Sequence, residues 1–284
     1  MPRIDIGSTL NRVTYPDNVW RWIDLLGDIL AANQAEALRH ESFIADTDYK
    51  KLTVRWINRD LATYTAIYVL LRAELIHQAA AHVRHACEAL ITLSYVAQAP
   101  EARVPLFLGY SSIESYELVE AMLAHERHLA RESHVLRAER MLKALTADYE
   151  SARTTYTFKD KAGNSRRFRN WCNTTLEQQA RACGDELPRI YRVVYSQLSA
   201  YVHGSAWSLR RQYGYSRAHY SPEVVLTDIA TVVRAAAIVW LEWARVCQEQ
   251  LQWEFNEVRQ IVARRIEILD VITFSETTED GGVP

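Results

Sequence analysis

The chain has 284 residues, of which 49% are hydrophobic, and its 33 basic and 35 acidic side chains leave a net charge of −2 at pH 7. It is long enough to bury a sizeable core, and its near-neutral charge excludes a protein whose whole surface binds nucleic acid. Only 9 Gly and 7 Pro interrupt it, which favours long helices over many short strands.

The first hundred residues predict consecutive helices. Apolar residues at helical spacing predict one helix from Pro16 to about Leu38, and the pattern is almost unbroken from about Lys51 to Gln98. A single helix of that second length would exceed the span of a compact domain, so we expect a break between Glu74 and Gln78. The helix after the break carries Arg84 and Glu88 among mostly apolar residues, so both charges are predicted to enter the core side by side.

The middle of the chain predicts one long amphipathic helix and one loop. The helix is expected from about Ile113 to Tyr156, and its charged part from His125 to Arg140 is interpreted as a solvated face. The loop is expected from Thr157 to Asn170, where turn-forming residues concentrate. A short capped helix between Asn173 and Gly184 is predicted to follow.

The end of that loop is the most basic patch of the chain. It contains Arg166, Arg167 and Arg169, with Phe168 and Trp171 interleaved. This combination of charge and aromatic rings is a candidate for binding single-stranded nucleic acid. The simpler alternative is that Trp171 packs inward while the arginines face water.

The helix that begins at Pro188 carries the main candidate site. Tyr195, Ser199 and His203 are each four residues apart, so they form a polar stripe on one helix face. The rest of the circumference is largely aliphatic and predicts a mostly buried helix. The aliphatic residues are Val193, Val194, Leu198 and Val202.

The last part of the chain predicts a central helix and a disordered tail. Ser221-Pro222-Glu223 predicts the start of a helix that runs to about Trp253, and a final helix is expected from Glu254 to Leu269. The polar, acidic residues 276–284 are predicted to be disordered. The sequence therefore predicts an all-α fold, a single-domain bundle of about seven to nine helices over residues 1–275.

Several of these motifs resemble a known family. Residues from about 50 to 205 are similar to an uncharacterised, mostly bacterial helical family, domain of unknown function 5677. The resemblance rests on an R-x-x-x-E-x-x-I motif, an F-L-x-Y motif, a Trp and a Gly around a short helix, and Y-x-x-L-S-x-x-x-H. The matching residues are Arg84, Glu88, Ile91, Phe107, Leu108, Tyr110, Trp171, Gly184, Tyr195, Leu198, Ser199 and His203.

The resemblance implies a fold and a site but no reaction. That family is similar in outline to the HEPN superfamily of helical bundles, several of which are metal-independent ribonucleases of toxin–antitoxin and phage-defence systems. The HEPN signature R-x(4–6)-H occurs at Arg72 to His77 and at Arg127 to His134, at a frequency expected by chance. His203 has no arginine at that spacing within its own helix, which is a departure from the HEPN pattern.

Two functions stay open at this point. In the first, a cytosolic HEPN-like protein of a bacterial stress or phage-defence system acts on or binds RNA, with His203 as general acid or base, Arg84 as a phosphate clamp and Glu88 as the orienting group. Its substrate contacts are then Tyr195, Ser199, Arg166, Arg167 and Arg169. In the second, the chain is a non-catalytic interaction or scaffold module, for example a homodimer, and the same cluster only fixes how two helices pack.

The cluster's accessibility separates these functions. A catalytic cluster is expected to open on a solvent-accessible cleft near the arginine patch, and a structural one is expected to be sealed. An interhelical pocket for a small molecule or nucleotide is a third possibility.

The sequence predicts no cofactor and no metal site, because phosphate-binding glycine loops and paired zinc ligands are absent from it. RNA and a second copy of the chain or another protein are the candidate partners, and no membrane partner is expected because no apolar run is long enough to span a bilayer. The four cysteines form no C-x-x-C pair and the N-terminus lacks a signal peptide's apolar run, so we expect a reduced cytoplasmic protein.

Overall fold

The computed structural model describes residues 17–39, 45–202 and 222–265. These residues are helical almost throughout, and their one sheet is a two-stranded hairpin. The predicted all-α class is therefore confirmed. The predicted tail, residues 276–284, lies outside the described residues, and the single domain over residues 1–275 stays a prediction.

The helices and strands follow one another with short connections. In chain order they are α1 Asp17–Arg39, α2 Asp48–Arg72, α3 Ile76–Ala97, α4 Pro100–Gly109, α5 Ser111–His128, α6 Glu132–Thr155, β1 Thr157–Lys159, β2 Ser165–Arg167, α7 Leu176–Ala182, α8 Glu186–Ile190, a π-helical turn Tyr191–Tyr195, α9 Ser196–Val202 and α10 Pro222–Leu251. Residues 256–265 form a further helix, α11. None of the described helices combines the length and the apolar character needed to cross a membrane.

The described helices divide between two compact units. The first unit contains α1, most of α2, the part of α3 up to Leu90, and the described chain from Pro188 onward. At its centre α10 packs on α1, and Val232 is fully buried. The hydroxyl of Tyr64 donates a hydrogen bond to the carbonyl oxygen of Ala236 over 2.8 Å, and its ring meets Trp240 edge-on at 4.8 Å. The prediction that the helix around Val232 is central is confirmed.

The predicted break between α2 and α3 is also confirmed. Helix α2 ends at Arg72 and α3 begins at Ile76. Between them Glu74 has a φ of 64°, in the left-handed region that a helix cannot continue through. The amide of Leu75 donates to the carbonyl oxygen of Leu70 over 2.8 Å, and this bond closes the turn.

The second unit contains residues 47–49 and Ile91–Leu187, and here the single long helix predicted from Ile113 to Tyr156 is wrong. Helix α5 ends at His128 and α6 begins at Glu132. Ala130 in the connection has a φ of 52°, and α5 and α6 pack against each other as a helical hairpin. The hairpin buries Val119, Leu123 and Ala138 together, which one continuous helix could not do.

The loop predicted from Thr157 to Asn170 contains a β-hairpin, so that prediction is wrong in part. Strands β1 and β2 pair antiparallel with Phe158 opposite Arg166. The turn between them is held by Asp160, whose Oδ1 accepts hydrogen bonds from the amides of Ala162 and Asn164, each over 2.9 Å. An aspartate that bonds nearby amides in this way stabilises a tight turn, and the turn brings the two flanking segments into register.

The predicted short helix before Gly184 is confirmed as α7. Thr175 caps it in a capping box, because the Thr175 hydroxyl accepts from the amide of Gln178 and the Gln178 side chain accepts from the amide of Thr175. Gly184 follows the helix with a φ of 89°, a left-handed conformation in which glycine carries no steric cost.

Candidate functional site

Helix α3 places Arg84 and Glu88 on one face, one turn apart. The guanidinium Nη2 of Arg84 lies 3.6 Å from Oε1 of Glu88, and their side chains are 20% and 39% exposed. The prediction that both charges enter the core is therefore wrong. Val83 and Cys87 beside them are fully buried and take up the core-facing side of α3, so the two charged side chains lie at its edge.

The second part of the site lies on a π-helical turn. Residues Tyr191–Tyr195 form this turn between α8 and α9. The amide of Ser196 donates to the carbonyl oxygen of Tyr191, and the Ser196 hydroxyl donates to the same oxygen over 3.1 Å. Single π turns within helices occur frequently at functional sites, and this one ends on Tyr195.

The helix around the π turn is less buried than predicted. Val194 and Leu198 are buried, but Val193 is 53% exposed, so the prediction that Val193 faces the core is wrong. Two adjacent residues point to different sides of a helix. Here Val194 points toward the core and Val193 toward solvent.

Tyr195 joins the two parts through hydrogen bonds at its hydroxyl. Nη2 of Arg84 donates to Oη of Tyr195 over 2.7 Å, and the Tyr195 hydroxyl donates to Oε1 of Glu88 over 3.1 Å. Cζ of Arg84 also lies 4.8 Å from the centroid of the Tyr195 ring, within the range of a cation–π interaction. We call Arg84, Glu88 and Tyr195 the Arg–Tyr–Glu cluster.

The electrostatics of the cluster keep the Tyr195 hydroxyl protonated. Burial raises the pKa of Tyr195 most; the hydrogen bond from Arg84 opposes this, and the negative charge of Glu88 adds to it. A tyrosine already ionises only at about pH 10. The Tyr195 hydroxyl is therefore a hydrogen-bond donor at neutral pH.

Arg84 has one buried donor without a partner among the described residues. Its Nε is buried and has no hydrogen-bond partner there. Buried donors without an acceptor are uncommon in folded proteins, and each needs an explanation such as a water, an ion or a ligand. Because solvent does not reach this atom, a buried water or a residue outside the described part of the chain can supply the missing acceptor.

Tyr191 is a neighbour of the cluster that the sequence did not single out. Its ring stacks on that of Tyr195, with centroids 5.0 Å apart and planes 16° from parallel. Tyr191 is only partly buried, so this aromatic pair lies beside the charged groups at the edge of the unit. The four-residue spacing of Tyr191 and Tyr195 was the available signal.

The other predicted site residues are not joined to the cluster. Ser199 is partly buried one turn after Tyr195, and no described contact links its hydroxyl to the cluster. His203 follows the last described residue of α9 and lies outside the described residues. In the second unit, Arg169 is exposed, Arg166 pairs with Asp160 over 3.0 Å and Arg167 pairs with Glu117.

Trp171 packs inward, which is the simpler of the two alternatives for the basic patch. It is 7% exposed, and its ring meets those of Tyr95 and Phe107 edge-on at 5.8 and 5.4 Å. Trp171 therefore serves the packing of the second unit rather than a stacking surface. No three His, Cys, Asp or Glu side chains within the described ranges are placed to hold a metal ion.

The comparisons with known proteins identify a family. The model of a family of unknown function, DUF5677, matches residues 50–216. The chain belongs to this family. The match covers the Arg–Tyr–Glu cluster and His203 and confirms the resemblance inferred from the motifs. No curated protein sequence and no solved structure matches the chain.

The fold explains why the F-L-x-Y motif contains a glycine in this chain. A Cβ at Gly109 would lie 2.8 Å from Oη of Tyr156. That hydroxyl donates to the carbonyl oxygen of Leu106 over 2.6 Å, and the Tyr156 ring meets Tyr110 edge-on at 5.1 Å. Glycine at position 109 therefore leaves room for a tyrosine that ties α4 to the end of α6.

Proposed function

We propose that this DUF5677 protein is an HEPN-like component of a bacterial stress or phage-defence system that binds and cleaves RNA without a metal ion. The observation that supports this is the accessibility of the Arg–Tyr–Glu cluster, in which the Arg84 and Glu88 side chains are 20% and 39% exposed. A purely structural network would be expected to be sealed. An accessible arginine held by two partners is preorganised to bind an anion.

Phosphate is the anion that we propose for Arg84. A guanidinium is planar, always charged, and donates parallel hydrogen bonds to two oxygens of one phosphate. The bond from Nη2 to Tyr195 restricts the orientation of the Arg84 guanidinium. Because the Tyr195 hydroxyl stays protonated, it can donate to a phosphate oxygen when it leaves Glu88.

Single-stranded RNA fits the aromatic pair beside the arginine. Proteins that recognise single-stranded RNA commonly stack its bases on exposed aromatic rings. Tyr191, partly exposed and stacked on Tyr195, offers such a ring next to the proposed phosphate position. We propose Arg166, Arg167 and Arg169 as further contacts to the phosphate backbone of the RNA.

The proposed reaction uses His203 as the general base. His203 takes the proton of a ribose 2′-hydroxyl while that oxygen forms a bond to phosphorus. The P–O5′ bond breaks, the leaving 5′-oxygen takes a proton from water, and His203 returns its proton to the hydroxide that this leaves. The products carry a 2′,3′-cyclic phosphate and a 5′-hydroxyl. Arg84 offsets the charge that develops on the non-bridging oxygens. Glu88 holds Arg84 and Tyr195, and Ser199 is proposed as a further substrate contact.

The experiment compares wild type with His203→Ala on a mixed RNA pool in the presence of a chelator, with product ends analysed for cyclic phosphate. Removing a general base is expected to lower the cleavage rate by about 10²–10⁴-fold. His128→Ala changes an exposed histidine of α5 and should cleave like wild type. Arg84→Lys, which keeps the charge but not the planar fork, should also cleave more slowly.

Thermal unfolding of the same preparations separates the two functions left open by the sequence. If wild type cleaves no RNA and His203→Ala melts at a clearly lower temperature, the enzymatic proposal is wrong and His203 has a structural role. If wild type cleaves and His203→Ala cleaves equally well, the role given to His203 is wrong.

A further inference from the structure

The hairpin of α5 and α6 buries little of its own surface. Helix α6 has 24 residues, of which only Ala138 is buried. Val135, Leu142 and Leu145 are partly buried and pack on the small core that Ala138 shares with α5. Helices in proteins derive most of their stability from packing an apolar face against neighbours, so a helix this long is expected to have a further packing partner.

Three exposed apolar residues mark the side of the hairpin where such a partner can bind. Leu118 and Met122 of α5 are 63% and 45% exposed, and Met141 of α6 is 39% exposed. Leu118 and Met122 are four residues apart and therefore lie on one face of α5. Exposed methionines are typical of adaptable protein-binding surfaces.

Side-chain contacts across the hairpin show that these residues share one side. Nδ1 of His134 lies 3.4 Å from Oε2 of Glu126. Glu126 follows Met122 by four residues and Met141 follows His134 by seven, so both methionines lie on the Glu126–His134 side. Arg127 and Glu139 form an ion pair over 2.8 Å, and this pair lies on the opposite side of the hairpin.

On this side α6 carries a stripe of four residues. The spacing of these residues is the same whether the helix is followed from its N-terminus or from its C-terminus. Arg137, Met141, Ala144 and Asp148 are separated by four, three and four residues, which places them on one helix face. If a second α6 runs antiparallel alongside, each Arg137 faces an Asp148 and each Met141 faces an Ala144. Charge then meets opposite charge, and a large side chain meets a small one.

We propose that a second copy of this chain binds here, and that the two copies form a twofold-symmetric dimer through antiparallel α6 helices. A twofold interface uses the same surface on both copies, so it requires self-complementarity, and the stripe has it. Arg137 and Asp148 are both exposed and form no ion pair with any other described residue, so both charges are available to a partner. Leu118 and Met122 widen the apolar area beside the stripe.

The test is sedimentation of the full chain over a range of concentrations. Arg137→Asp puts Asp against Asp148 twice per dimer, and Asp148→Arg puts Arg against Arg137 twice. Each variant alone is expected to weaken dimerisation by about 10- to 100-fold, because like charges at an interface are strongly unfavourable. An equimolar mixture of the two variants restores both opposite-charge contacts, so it should dimerise like wild type, and so should the double variant.

The control is Lys143→Asp, which reverses an exposed charge of α6 outside the stripe and should leave the dimer unchanged. Circular dichroism of each variant checks that the helices are retained. The proposal is wrong if wild type sediments as a monomer at every concentration. It is equally wrong if the single variants remain dimeric, or if mixing them restores nothing. None of these outcomes depends on RNA cleavage.

Discussion

Two acidic side chains in the first unit have opposite environments. Glu88 on α3 is 39% exposed and accepts a hydrogen bond from Tyr195. Asp60 on α2 is fully buried, and neither of its carboxyl oxygens has a hydrogen-bond partner among the described residues. Within the described part of the chain its ion-pair partner is Arg59, whose Nε lies 3.8 Å away.

The protonation of Asp60 follows from this difference. Burial raises the pKa of Asp60 to about 7, against the opposing charge of Arg59. The carboxyl group can therefore be neutral inside the unit. The comparison shows that an acidic residue on a mostly apolar helix is no evidence of a site by itself. Its partners and its access to solvent decide what it can do.

The largest expected effect comes from removing the charge of Asp60. Because its folded pKa is raised from 3.8 to about 7, the folded state holds more protons than the unfolded state between these values, and stability falls as pH rises through that window. Above pH 7 the free energy of unfolding is lower by about 4 kcal/mol than it would be without this shift. Asp60→Asn should therefore raise the free energy of unfolding at pH 8 and leave it nearly unchanged at pH 4.

Urea denaturation of wild type and Asp60→Asn across this pH range measures the effect. Asp24→Asn, at an exposed position of α1, is the control and should retain the wild-type pH dependence. If Asp60→Asn also loses stability steeply between pH 4 and 8, another group causes the loss and the account of Asp60 fails.

The sequence predicted those parts of the fold that local chemistry determines. The break before α3 followed from the length of the pattern, and helix α7 followed from the polar residues that begin at Asn173 and from the Gly184 that ends it. The break between α5 and α6 was missed because Ala130 is a good helix former, and it takes its left-handed conformation only because the apolar faces of the two helices pack together. A turn that depends on long-range packing leaves no local signal.

The candidate site was predictable in its residues but not in its geometry. The motifs selected Arg84, Glu88 and Tyr195. The hydrogen bond between Tyr195 and Glu88 joins residues 107 positions apart in the sequence, and the one between Arg84 and Tyr195 joins residues 111 positions apart. The π turn was missed because one extra residue in a turn changes neither composition nor polarity. The position of Asp60 in a sealed core was missed because its neighbours in sequence include charged residues such as Arg59.

A smaller effect is expected from breaking the cluster at Arg84. Arg84→Met keeps the length of the side chain but removes the hydrogen bond to Tyr195 and the cation–π contact. The expected loss is about 1–2 kcal/mol, since hydrogen bonds to charged groups contribute about 1.5–3 kcal/mol when buried and this one is partly exposed. Urea denaturation at pH 5, where Asp60 is largely neutral, measures it. An unchanged unfolding free energy would show that Arg84 is held only loosely.

The smallest effect is expected from the Tyr195 hydroxyl. Tyr195→Phe keeps the stacked ring and removes one oxygen, so the loss should be about 1 kcal/mol. Tyr191→Phe keeps the same stack without touching the cluster and should cost less.

The double variant Arg84→Met/Tyr195→Phe completes a double-mutant cycle, in which a contact of this kind predicts a coupling of about 0.5–1.5 kcal/mol. A coupling near zero would mean that the two groups stabilise the fold independently. Arg84 and Tyr195 would then not form one energetic unit. A clear coupling together with wild-type RNA cleavage by Tyr195→Phe would leave the cluster intact and restrict the hydroxyl to positioning Arg84.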